Sequence, residues 1–93
     1  MAVLDIGWVT LGPNGGSTEW FIHGYNNKQA VTYSIVVFGA PAPGVLNPKG
    51  DATLFQGRYV RHVDGTFGQV VTIRNNAPFN PADVHLLAQV ESL

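Results

Sequence analysis

An all-β fold, an antiparallel β-sandwich of six or seven strands in a single domain over residues 1–93, is what the sequence predicts, on three observations. Runs rich in Val, Ile, Thr and aromatic residues recur every roughly 8–12 residues between clusters of Gly, Pro and Asn, the rhythm of short strands and tight turns. Eleven glycines and six prolines leave little room for a long helix. Apolar and polar residues alternate with period two in the runs around Asp64-Gly65 and again from Val84 to Val90, as strands with one buried face require. A small β-barrel is the structural alternative, because alternation specifies faces and leaves closure open.

The punctuation gives strands near 3–11, 17–24, 29–38, 52–63, 67–75 and 83–91. Gly12-Pro13-Asn14-Gly15-Gly16 ends the first, with residues suited to positive φ following a proline bend. Gly24-Tyr25-Asn26-Asn27-Lys28 joins the second and third as an expected hairpin. From Gly39 to Gly50 the chain carries Pro41, Pro43 and Pro48, which lack ladder donors, so this stretch is a long crossover. Asp64-Gly65 marks a hairpin between the fourth and fifth strands. A three-residue loop pairing Val63 with Phe67 puts Phe55, Tyr59, Val63, Phe67, Val71 and Ile73 on one face. Gln56, Arg58, His62, Thr72 and Arg74 fall on the other.

After Asn75-Asn76-Ala77-Pro78-Phe79-Asn80-Pro81, Val84, Leu86, Ala88 and Val90 alternate with His85, Leu87 and Gln89. A strand ending in Asn, a polar corner and an apolar strand returning in the other sheet resembles a feature of bacterial immunoglobulin-like modules. The order Gly7-Trp8, Glu19-Trp20-Phe21, Val31-Thr32-Tyr33-Ser34, Asp64-Gly65-Thr66, Val71-Thr72-Ile73 and Asn75 is similar to a family of small bacterial β-sandwich domains without a settled function. That resemblance implies an immunoglobulin-like or jelly-roll-like sandwich, and it transfers no site residue and no chemistry.

Composition narrows the function classes. Charged residues make up 12% of the chain, about half the ~25% of ordinary soluble domains, and the net charge is −1. Three arginines and two lysines form no basic stripe, which argues against nucleic acid as a partner. Little charge means little mutual repulsion, so a homo-oligomer is expected. The chain has no cysteine, hence neither disulfides nor thiolate ligands, and this favours the cytoplasm as its location. The stretch Met1-Ala2-Val3-Leu4-Asp5-Ile6 has no basic region ahead of an apolar core and does not read as a signal peptide.

No constellation for catalysis is visible. His23, His62 and His85 are isolated, the six carboxylates are scattered, and the glycine-rich turn lacks the Lys-Ser/Thr of a phosphate loop. The chain is expected to be a binding module and not an enzyme, with no cofactor and no metal. Its aromatic and amide residues suggest the ligand class: Trp and Tyr rings offer flat apolar faces for a sugar ring, and Asn amides can satisfy sugar hydroxyls. Trp8, His23, Tyr25, Asn26 and Asn27 are therefore the candidate contacts for a glycan, while Trp20 is expected in the core. An assembly or protein-interaction domain is the alternative, since Tyr and Trp are also enriched in interface cores. A small membrane-active toxin, with Phe38, Val45 and Leu46 as inserting residues, is the third. It lacks the basic amphipathic segment that would make a membrane an expected partner.

Overall fold

The computed structural model describes residues 2–25, 29–63 and 66–92, and every regular element in them is a strand. β1 spans Ala2–Leu11, β2 Ser17–Tyr25, β3 Gln29–Gly39, β4 Ala52–Arg61, β5 Phe67–Asn75 and β6 Ala82–Ser92. They form two antiparallel three-stranded sheets, β1-β6-β3 (sheet A) and β2-β5-β4 (sheet B). The architecture is the expected sandwich, with six strands and no closed barrel among the described residues.

Only β4 and β5 are both neighbours in sequence and partners in a sheet; every other connection carries the chain from one sheet to the other. Immunoglobulin sandwiches pair several sequence neighbours as hairpins, so of the two windings this order follows the jelly roll. The expected β2–β3 hairpin is overturned, because β2 pairs with β5 and β3 pairs with β6. Tyr25, read as loop, is the last residue of β2 itself.

The two central strands carry the core. β6 alternates strictly, and Ala82, Val84, Leu86, Ala88 and Val90 are all buried. Across the sandwich stand Val71 and Ile73 of β5, with no exposed surface, and Trp20, Ile22 and Leu54 from the strands beside them. Trp20 is partly buried and packs against this cluster, as expected. Each fully buried aliphatic side chain here contributes roughly 1.5–3 kcal/mol, and a central strand has sheet neighbours on both sides to bury it.

The β4–β5 register differs from the simple hairpin. Arg61 is the last residue of β4 to pair, with Phe67, and His62 N–H donates to the Thr66 carbonyl at 2.7 Å to close a longer loop. Val63 is fully exposed instead of facing Phe67. A bulge between Gln56 and Tyr59 then restarts the ladder with Gln56 opposite Val71 and Phe55 opposite Thr72. An extra residue in a strand reverses the alternation beyond it, so Phe55 moves to the outer face and Leu54, opposite Ile73, takes the core position. Tyr59, Phe67, Val71 and Ile73 keep the common face that the sequence predicts.

One end of the sandwich is tied by amides. In the β1–β2 turn Asn14 and Gly15 both have positive φ, 61° and 92°. Asn14 N–H donates to Ala77 O at 2.8 Å and Gly15 N–H to Asn75 O at 3.0 Å. The Asn75 side chain is completely buried, and its Nδ2 donates to the carbonyls of Leu11, Gly12 and Asn80 at 3.1–3.2 Å. Its Oδ1 accepts from Ala77 N–H at 2.9 Å. Asn80 continues the network by donating from Nδ2 to Lys49 O at 3.0 Å, which fastens the crossover.

The crossover returns along the end of β3 so closely that two glycines meet. A Cβ on Gly39 would lie 2.6 Å from the Pro48 carbonyl carbon, and one on Gly50 would lie 2.9 Å from the backbone of Phe38. Gly39→Ala is expected to cost about 1–3 kcal/mol, because backbone must move to admit the methyl group. The midpoint of urea unfolding checks it, and an unchanged midpoint would show that the crossover moves aside freely.

Candidate functional site

Because β6 sends its even-numbered residues inward, Asp83, His85 and Leu87 face out from sheet A. The register sets Trp8 of β1 and Val36 of β3 on either side of His85, and Thr10 and Phe38 on either side of Asp83. The Trp8 ring stacks on His85 with centroids 4.2 Å apart, and lies 6.0 Å from Phe38 with the planes only 20° apart. Trp8 is 56% exposed and Phe38 52%, so the strip is open to solvent.

A bulge in β1 assembles this group. The ladder shifts between Asp5 and Gly7, so Asp5 stands opposite Leu87 and Trp8 opposite His85. In an uninterrupted strand residues three apart point to opposite faces, whereas the extra residue here puts both on the outer one. The Asp5 carboxylate contacts His85 Nε2. Nearby, Thr10 Oγ1 donates to Asp83 Oδ1 at 2.7 Å. Exposed Thr32, Ser34 and Gln89 continue the same face toward the other end of the sheet. The result is a flat aromatic strip with carboxylates and hydroxyls around it.

Of the glycan contacts expected from the sequence, Trp8 lies in this strip. His23 and Tyr25 belong to β2 in sheet B, paired with Gly68 and Phe67, and the outer face of sheet A turns away from that sheet. Asn26 and Asn27 lie outside the described residues. Sequence reasoning did not single out Asp5, Phe38 and His85 as neighbours of Trp8. The alternation of β6 showed His85 facing out, but its pairing with β1 and β3 is long-range information.

Two other surfaces stand out. On the outer face of sheet B, Phe21 and Phe55 are each about half exposed, beside Val70 and Thr72. At the end tied by the amides, a pocket of about 280 Å³ opens between the crossover and the β5–β6 corner, lined by Val45, Leu46, Lys49, Asp51 and Phe79 among others. The residues considered for membrane insertion fall in two places: Phe38 beside Trp8, and Val45 and Leu46 at this pocket. No helix is long and apolar enough to cross a membrane, and no group of three metal-ligating side chains occurs among the described residues. Against protein-family models, curated proteins and solved structures alike, the chain finds no match.

Proposed function

We propose that this chain is a binding module rather than an enzyme, and that it recognises a glycan on the outer face of sheet A. The observation that carries this reading is the Trp8 ring, held in orientation by His85 and Phe38 yet more than half exposed. An indole fixed by neighbouring rings loses little side-chain freedom when a sugar stacks on it, and its apolar face matches the C–H face of a pyranose. Asp5, Thr10 and Asp83 supply acceptors and a hydroxyl within the same strip, as a ligand rich in hydroxyl groups requires.

Tryptophan emission tests the proposal directly, since Trp20 belongs to the core side and Trp8 to the solvent side. A sugar identified on a glycan array should change the emission saturably. Trp8→Ala should weaken binding at least ~tenfold while leaving the fold intact. A blank array together with unchanged emission across mono- and oligosaccharides would overturn the reading. The second reading, an assembly domain, is favoured by Phe21 and Phe55, which give sheet B an apolar outer strip of its own.

A further inference from the structure

A three-stranded sheet has two edges, so the sandwich exposes four edge strands: β1 and β3 in sheet A, β2 and β4 in sheet B. An edge offers unpaired N–H and C=O groups to any other strand, and proteins block them with charges, prolines, bulges or covering segments. β1 carries Asp5 and a bulge at Asp5/Gly7. β2 carries Glu19 and a bulge between His23 and Tyr25. β4 carries Arg58, Arg61 and a bulge between Gln56 and Tyr59.

β3 has none of these. Its eleven residues, Gln-Ala-Val-Thr-Tyr-Ser-Ile-Val-Val-Phe-Gly, include no charge and no proline, and they pair with β6 without a register shift from Gln29 to Gly39. The crossover covers its last residues, where Gly50 approaches Val37, Phe38 and Gly39. Between Ala30 and Val36 the strand is regular and rich in β-branched residues, the profile that favours strand addition.

We infer that the β3 edge is an interface at which two copies of this chain pair antiparallel, joining two A sheets into one six-stranded sheet ordered β1-β6-β3-β3-β6-β1. A second copy is the occupant that the charge pattern favours. A strand without charge meets an identical strand about a two-fold axis with no like-charge contact, and a net charge of −1 leaves little repulsion between molecules. An axis near Tyr33 sets Thr32 opposite Ser34 of the partner subunit, small hydroxyl residues that fit side by side on the exposed face. Antiparallel pairing keeps the same face of both sheets on one side. The two Trp8 strips would then point the same way, and a repeating ligand could engage both. The pairing itself does not depend on the glycan reading, because β3 would dimerise whatever the strips bind.

The test is the mass in solution of the full chain and of the double variant Thr32→Lys, Ser34→Lys. Both residues are exposed on the outer face, so the core is untouched, and in the dimer the four lysines would crowd the axis. Sedimentation should give about twice the 10.0 kDa chain mass for the wild type, and the single-chain mass for the double variant at the same concentration with an unchanged circular dichroism spectrum. Ser17→Lys on the β2 edge should leave the dimer intact. A wild-type chain that remains at 10.0 kDa to ~1 mM overturns the inference. So does a dimer that survives both lysines, or one that Ser17→Lys abolishes. If the double variant loses its spectrum, Thr32→Lys alone is read in the same assay under the same criteria.

Discussion

Asn75→Asp is expected to remove about 3–5 kcal/mol of stability, although the two side chains have nearly the same shape. The Asn75 Nδ2 group donates to three carbonyls, one from β1, one from the β1–β2 turn and one from the β5–β6 corner. A carboxylate has no donor for any of them and adds a negative charge facing three oxygens. The substitution takes a donor from two buried carbonyls, Leu11 and Asn80, and from the half-buried one of Gly12, and the introduced charge has no exposed surface through which water could reach it. A domain of this size has only ~5–14 kcal/mol of stability in total, so the variant should unfold at a much lower urea concentration with a similar slope. A midpoint equal to the wild type would show that these bonds are dispensable.

Phe67→Ala should have a comparable effect, about 3–5 kcal/mol, measured in the same way. Phe67 is 4% exposed at the start of β5, where Tyr59 stacks on it at 5.2 Å between ring centroids. The Arg61 guanidinium lies 5.1 Å from the same ring and donates from Nη2 to Tyr59 Oη at 2.6 Å. Truncation removes the ring on which both side chains rest, at the end of the sandwich away from Asn75. Val63→Ala, four residues earlier in the hairpin loop, should change stability by no more than ~0.5 kcal/mol because that side chain touches nothing it could lose. If the two variants melted alike, the longer hairpin loop would be in doubt.

Strand positions were legible because turn chemistry is local. Gly12 to Gly16 needs positive φ at Asn14 and Gly15, and the prolines between Gly39 and Gly50 cannot serve a ladder, so both stretches mark boundaries by themselves. Pairing was less legible. The same short Asn-rich connection serves a hairpin within one sheet or an arch between two, and alternation in β2 and β3 reads identically in either case. The register of β4 turned on a bulge around Gly57 and Arg58, and glycine inside a strand was its only local sign. The candidate site fared accordingly. Trp8 could be singled out as an aromatic contact, but its company with His85, Phe38 and Asp5 depends on β6 lying between β1 and β3.

That placement of β6 also bears on the order in which the chain can organise itself. β1 and β3 touch no strand of their own sheet except β6, which follows both in the sequence. During synthesis they leave the ribosome with no template to join, while the β4–β5 hairpin can close as soon as its second strand is made. Sheet A must then condense in one late, long-range step, the type of event that makes β-rich chains fold over milliseconds to seconds. Throughout that wait the uncharged β3 segment lacks the strand it pairs with along its whole length from Gln29 to Gly39.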